Sequence, residues 1–225
     1  IGPGDLNADA KPDLLVRTKK NLLVRFGTGA GTFTAPQRVA GDWGGYNRIV
    51  GGGDYTGDAI ADLVARRGNG QVFVVPGRGD GSFATALGPA ANMKKVRFLG
   101  AGGQLAAGPG GDLLGVTSRG LTLAINRDTF DLGAPVDTGV SFAGMDAVLN
   151  AGDVNRDGLG DVLTRSTGGE LMLFTGNGQG GLNPAVSLGG GWNAVTDLKA
   201  VGDVTGDGIG DLTGVLNGRL TVWPG

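Results

Sequence analysis

The sequence predicts an all-β protein built from short strands, and three observations lead to this prediction. Glycine accounts for 48 of the 225 residues, without the three-residue period of collagen. Short runs of Val, Leu and Ile alternate with turns of Gly, Asn, Asp and Pro, which is typical of strands joined by tight turns. The same succession of loops and strands also returns at a nearly constant interval, which indicates a repeat architecture.

Five repeats follow one another along the chain. They begin at Asp5, Asp54, Gln104, Asp153 and Asp203, so their spacings are 49, 50, 49 and 50 residues. Four of them open with a loop of the form D-x-[NT]-x-D-x-x-x-D, and the general repeat continues with two strands joined by a tight turn, a glycine-rich loop and two further strands. Four short strands per repeat match a propeller blade. We therefore predict one domain, residues 1–225, folded as a β-propeller of five blades with about four antiparallel strands each.

Two features qualify this architecture. The chain reaches Gly225 where the fifth glycine-rich loop should begin, so the fifth blade is expected either to be short or to continue in flanking sequence. We expect the domain to be part of a larger protein. An open solenoid is the alternative, but the terminal units show no obvious polar caps, which a solenoid requires.

The aspartate-rich loops predict metal binding in four of the five repeats. Oxygen-bearing side chains occupy loop positions 1, 3, 5 and 9, and a backbone carbonyl is expected at position 7. Three carboxylates so close together would repel one another without a cation. The predicted ligands are Asp5, Asn7, Asp9, Lys11, Asp13, Asp54, Thr56, Asp58, Ile60, Asp62, Asp153, Asn155, Asp157, Leu159, Asp161, Asp203, Thr205, Asp207, Ile209 and Asp211.

The ligand chemistry favours Ca²⁺. The chain contains no His and no Cys, and oxygen ligands alone select a hard cation over zinc or copper, with Mg²⁺ as the second choice. A strand follows each loop and the Glu of an EF-hand is missing. In the third repeat Gln104, Ala106 and Gly108 replace the first three ligands and only Asp112 remains, so no metal is expected there. The alternative for all the loops is that Asp and Asn merely form turns.

The segments Gly202–Leu212 and Gly189–Asn193 resemble the FG-GAP/VCBS repeats of integrin-type propellers and of secreted actinobacterial proteins. The resemblance covers nearly the whole chain and is weakest in the third repeat. It implies a secreted propeller with Ca²⁺ between the innermost strand and the next. The family includes lectins, adhesion heads and modules attached to enzymes, so the resemblance leaves function open.

Large side chains recur eleven residues before the loops, as Trp43, Met93, Phe142 and Trp192. Packing between blades explains them most simply. The alternative is a row of platforms for sugar rings, with Trp43, Trp192 and Asn193 as predicted ligand residues, and fungal FG-GAP lectins bind sugars between blades.

Recurring arginines stand four residues after the last loop aspartate, at Arg17, Arg66 and Arg165. They are expected to cover apolar surface or balance the acidic loops, and recognition of acidic groups is the alternative.

Several function classes are disfavoured by composition. Without His or Cys there is no Ser-His or Cys-His nucleophile, and most carboxylates lie in the loops, so we expect no enzyme. Basic residues form pairs at most, and no run of eighteen apolar residues occurs, so neither nucleic acid binding nor a membrane span is expected. The expected function is a calcium-stabilised, lectin-like module that targets a secreted protein to a glycan-bearing surface. A protein-interaction or adhesion module is the alternative, followed by an accessory domain of a hydrolase.

Overall fold

Five antiparallel sheets make up the protein. The structure, a computed structural model, describes residues 1–96, 98–102, 104–106, 110–127 and 131–225. These residues contain eighteen strands and one short 3-10 turn, Trp192–Ala194. The predicted all-β architecture is confirmed, with one sheet for each sequence repeat. Within the described ranges, no helix has the length and apolar character needed to cross a membrane.

The strands are distributed over five blades in chain order. The first blade contains β1 (Leu14–Arg17), β2 (Leu22–Arg25) and β3 (Gln37–Val39), and the second contains β4 (Tyr46–Gly53), β5 (Asp62–Arg67), β6 (Gln71–Val75) and β7 (Leu87–Asn92). The third contains β8 (Phe98–Gly102), β9 (Asp112–Val116), β10 (Leu121–Ala124) and β11 (Val136–Asp137). The fourth contains β12 (Met145–Gly152), β13 (Asp161–Ser166), β14 (Leu171–Phe174) and β15 (Val186–Gly189), and the fifth β16 (Thr196–Gly202), β17 (Asp211–Leu216) and β18 (Arg219–Trp223).

The first four residues act as the innermost strand of the first blade. The amide of Leu15 donates to the carbonyl of Ile1 at 2.9 Å, and the amide of Asp13 donates to that of Gly4 at 2.8 Å. The first blade thus has four layers, as the repeat predicts. Within this chain the fifth blade has three strands, because no outer strand pairs with β18.

The inner segments of the blades follow one another around a central channel of about 920 Å³. Glycines allow two of these segments to approach closely. A Cβ on Gly51 would lie 2.7 Å from the Cα of Pro3, and a Cβ on Gly2 would lie 2.9 Å from the Cα of Val201. Residues 1–4 therefore contact the inner strands of both the second and the fifth blade.

The hydrophobic core lies between neighbouring blades. Tyr55 is fully buried, packs in one cluster with Val74 of the second blade and Leu113 of the third, and donates its hydroxyl to the carbonyl of Asp112 at 3.0 Å. Central strands are covered on both faces, which explains why β9 is buried along its whole length.

The recurring arginines join each blade to the chain that enters the next one. Arg66 Nη1 donates to the carbonyls of Met93 at 3.2 Å and Val96 at 2.7 Å. The equivalent bonds run from Arg17 to the carbonyls of Trp43 and Tyr46, and from Arg165 to those of Trp192 and Val195. These guanidinium groups serve as structural donors to backbone carbonyls, a role that neither expectation named.

One repeat position shows how the fifth blade differs from the others. Leu22, Val72, Leu121 and Leu171 occupy equivalent positions near the start of the third layer of their blades and are at most 2% exposed, whereas Leu220 at the same position is 72% exposed. In the first blade Leu22 lies opposite Val39 of the outer strand. Leu220 lacks such a cover because the fifth blade has no outer strand within this chain.

We predict opposite outcomes for the same substitution at two equivalent positions. Leu121→Ala removes a fully buried side chain and is expected to lower the free energy of unfolding by about 2–5 kcal/mol. Leu220→Ala is expected to change it by no more than about 0.5 kcal/mol, because the side chain is largely in solvent. Urea denaturation measures both, and equal losses would contradict the packing described.

Candidate functional site

The loops between the first and second strand of a blade curl sharply. Positions 4 and 6 have left-handed backbone in the first loop, at Ala8 (φ 60°) and Ala10 (φ 62°), and in the fifth, at Gly206 (φ 85°) and Gly208 (φ 87°). Glycine adopts this conformation without strain, and alanine adopts it at a cost. The curl turns side chains at odd loop positions toward a common centre.

Carboxylates of the loop hold this curl through backbone hydrogen bonds. In the second loop, Asp54 accepts the amides of Gly57 at 2.6 Å and Ala59 at 2.7 Å, and Asp58 accepts the amide of Ile60 at 2.9 Å. The corresponding bonds from position 7 come from Lys11, Leu159 and Ile209 in the other three acidic loops. The loop shape is thus specified by its own acidic residues.

The last loop carboxylate is buried in every blade. In the third blade, Asp112 Oδ2 accepts the amide of Ala106 at 2.7 Å and Asp112 Oδ1 accepts that of Asn126 at 3.0 Å. The other four aspartates likewise link their loop to the second residue after the third strand layer: Asp13, Asp62, Asp161 and Asp211. Because the third repeat keeps Asp112 without the preceding acidic ligands, this carboxylate has a structural role that needs no metal.

The pKa is raised in one kind of loop carboxylate and lowered in the other. Burial raises the pKa of Asp13, Asp62, Asp112 and Asp161 above the ordinary value, although backbone amides partly offset the effect. At Asp203 partial desolvation acts in the same direction, but the amides of Gly208, Gly206 and Asp207 outweigh it and lower the pKa. Asp203 is therefore anionic at neutral pH.

Two observations, in the fifth and second loops, show donors that fit a hard cation. Oxygens of Asp203, Asp207 and Asp211 all lie within 4.8 Å of one another. In the second loop the buried hydroxyl of Thr56 has no hydrogen-bond partner among the described residues. Converging oxygens of this kind are the ligands that Ca²⁺ prefers.

The third loop has a different chemistry. Ala106 uses its amide to bond Asp112, and neither Gln104 nor Ala106 supplies a carboxylate. Gly108, the third replaced ligand, lies outside the described residues. The acidic positions 1 and 5 of the other loops thus have no counterpart in this repeat.

Three of the four large side chains before the loops are core residues. Trp43 is 4% exposed, donates its indole N–H to the carbonyl of Ala40 at 3.1 Å and meets Phe83 edge-on at 5.8 Å between centroids. Met93 and Phe142 are buried as well. Trp43 offers no open face to a ligand, so we leave it out of the candidate ligand surface.

Trp192 differs from its equivalents because it is half-buried. Its ring lies 5.2 Å from that of Trp223, with an angle of 55° between the planes. The turn that carries it is fixed, since its amide donates to the carbonyl of Gly169 at 3.0 Å and Arg165 donates to its carbonyl at 2.9 Å. Sequence reasoning missed Trp223, because nothing in the repeat pattern connects it with Trp192.

Open space borders this tryptophan. Gly189, Gly190 and Gly191 precede it, and a Cβ built on any of them would have no atom within 4 Å. Asn193 follows it and is exposed. Trp192, Trp223, Asn193 and these three glycines form what we call the Trp192 surface, which has an aromatic wall, an amide and room for a ligand.

Comparisons with known proteins agree with this architecture. Residues 5–65 match the model of the FG-GAP-like repeat, which confirms the predicted repeat type. No curated protein sequence matches the chain significantly. The chain thus has the fold of a β-propeller, and its residues 5–65 match an FG-GAP-like repeat.

Two solved structures are similar over almost all of this chain. One is a lectin from Agrocybe aegerita, described as specifically recognising non-reducing terminal N-acetylglucosamine, with a TM-score of 0.57 and 21% identity. The match covers 97% of this chain and 64% of the lectin. The other is the Tc holotoxin pore of Photorhabdus luminescens, with a TM-score of 0.51, 17% identity, and coverage of 98% of this chain and 13% of that one. At these identities the matches show the fold.

We predict that the buried aspartates stabilise the protein without any metal. In EDTA, Asp112→Asn is expected to lower the free energy of unfolding by about 1–3 kcal/mol, because the new NH₂ group would face a buried backbone N–H. Asp157→Asn, in an exposed loop position, is expected to cost less than about 1 kcal/mol. Denaturant titration in EDTA compares the two, and a larger loss for Asp157→Asn would refute the structural role of Asp112.

Proposed function

We propose that this propeller is a carbohydrate-binding module, stabilised by Ca²⁺ and without catalytic activity, that targets a secreted protein to a glycan-bearing surface. The half-exposed Trp192 beside three uncrowded glycines is the observation that carries the proposal. An indole face suits the C–H side of a sugar ring, and the exposed amide of Asn193 can donate to and accept from hydroxyl groups.

Preorganisation supports a binding role for this surface. The Trp192 turn is held by Gly169 and Arg165, and Arg165 is itself held by Asp146 at 2.8 Å. A ligand that binds a fixed aromatic side chain does not have to order it, so less of the contact energy is lost. The lectin function of the Agrocybe aegerita neighbour agrees with this role, and a sugar must be identified by experiment.

Calcium is proposed for four loops, in the first, second, fourth and fifth blades. There it would supply positive charge between the innermost strand and the next, with the carbonyls of Lys11, Ile60, Leu159 and Ile209 among its ligands. The aspartate at loop position 5 is exposed in all four loops, which suits weak sites of the kind found in extracellular modules. Millimolar extracellular calcium would saturate them, and this supports the proposed secreted location.

The carbohydrate role predicts a specific loss of binding. In a glycan array run in calcium buffer the protein is expected to retain at least one class of glycan, and calorimetry then gives its affinity. Trp192→Ala should weaken that affinity at least about tenfold, since a central aromatic contact is worth 1.4 kcal/mol or more. Trp43→Phe is the matched control, because Trp43 has the same repeat position but is buried, and it should bind normally.

Two results would contradict the proposal. One is the absence of any bound glycan when the protein is folded and calcium-loaded. The other is equal binding by wild type and Trp192→Ala, which would place the ligand elsewhere. Capture of a purified protein partner without glycan binding would support the interaction-module alternative.

The calcium proposal predicts a stability change on chelation. Calcium that binds only the folded protein stabilises it by about 2.7 kcal/mol per site at one hundred times the dissociation constant. EDTA should therefore lower the melting temperature clearly, and Asp157→Asn should reduce the calcium-dependent gain by about one site. Asp112→Asn should leave this gain intact. Identical melting curves with calcium and with EDTA would overturn the proposal.

A further inference from the structure

One repeat position in the wall of the central channel is charged in the fifth blade and uncharged in the other four. Four residues before each metal loop, the inner segments place Ile1, Val50, Gly100, Leu149 and Lys199 in the channel wall. Lys199 is exposed and adds no apolar packing at this position. Such a break in a local rule often marks a functional position.

Arg48 lies in the same channel wall and brings a second cation. It is half-buried and stands opposite Arg66 in the β4–β5 pair. The guanidinium of Arg66 is held by backbone carbonyls, and its pKa is lowered by burial and by the like charge of Arg48. Arg48 therefore has a like-charged neighbour.

The carboxylates near these cations do not form ion pairs with them. Ion pairs within the described part of the chain join Lys11 to Asp9 and Arg165 to Asp146. Asp146 lines the channel but accepts two bonds from Arg165, at 2.8 and 3.1 Å. Asp197 lies on the rim and favours the charged form of Lys199, whose Nζ donates to the carbonyl of Leu198 at 3.0 Å.

Lys199 interacts with one carboxylate and two cations at this part of the channel. Burial lowers the pKa of Lys199, Asp197 counteracts this effect, and the charges of Arg48 and Arg165 add to it. An anion held between the two cations would offset their mutual repulsion.

We propose that the end of the central channel opposite the metal loops binds a compact anionic group, the carboxylate or sulfate of an acidic saccharide, between Arg48 and Lys199. This inference rests on the proposed carbohydrate function and names its ligand class. Arg165 connects the two regions, since it donates to the carbonyl of Trp192 and pairs with Asp146 in the channel wall. The channel has ample room for such a group.

The test measures binding of three probes by calorimetry at constant ionic strength: sulfated or uronic-acid oligosaccharides, their neutral counterparts and inorganic sulfate. Arg48→Gln and Lys199→Gln should each weaken binding of the acidic oligosaccharides at least about tenfold, as expected for losing a charge-assisted contact. Arg38→Gln is the control, because Arg38 is exposed on the outer strand β3 and its loss changes the net charge equally.

The outcomes separate this inference from the function on which it rests. Equal affinity for acidic and neutral saccharides would overturn the channel site while the Trp192 surface stands. Equal weakening by Arg38→Gln and Arg48→Gln would also overturn it, since the effect would then be one of net charge. Sulfate binding that depends on Arg48, without binding of any saccharide, would support the anion site and refute the carbohydrate function. Thermal melts of each variant confirm that it is folded.

Discussion

A buried carboxylate in each blade is the interaction on which the rest of this structure depends. Each of these carboxylates accepts hydrogen bonds from backbone amides of two segments, the loop that precedes it and the chain just after the third strand layer of its blade. The residues are Asp13, Asp62, Asp112, Asp161 and Asp211. Burying an aspartate is unfavourable unless its oxygens are satisfied, and here two backbone segments satisfy them. This bond network fixes where each inner strand ends and where the loop ligands converge. Calcium, as proposed, adds to a frame that these aspartates already define.

The third blade separates the structural role of the loop from the metal-binding role. It retains Asp112 and its two amide bonds, while the acidic residues at positions 1 and 5 are gone. Its neighbours support it through packing, since Tyr55 from the second blade is buried against it and bonds the carbonyl of Asp112. The stability of a blade therefore depends on its buried carboxylate and on packing against its neighbours. Four blades carry further oxygen ligands for a cation.

Much of the fold was predictable because the same pattern of loops and strands recurs along the sequence. The loop spacing and the strand pattern are local properties, so they predicted five sheets and the loop positions. Burial was harder to predict, because it depends on distant partners: Trp43 and Trp192 share a repeat position, yet only Trp192 stays half-exposed, beside Trp223. The same holds for Leu220, whose exposure follows from the missing outer strand, and for Lys199 and Arg48, which come together only when the inner strands surround the channel.

The proposed functions lie where the repeats differ, at the Trp192 surface and in the channel, whereas stability comes from what the repeats share. Amide hydrogen exchange in EDTA, followed by NMR, tests this division most directly. The amides of Ala106 and Asn126, which bond Asp112, should then exchange only through global unfolding, because no metal is needed to protect them. Exchange as fast as that of amides in exposed turns, such as Gly45, would show that the buried carboxylate does not hold the blade together.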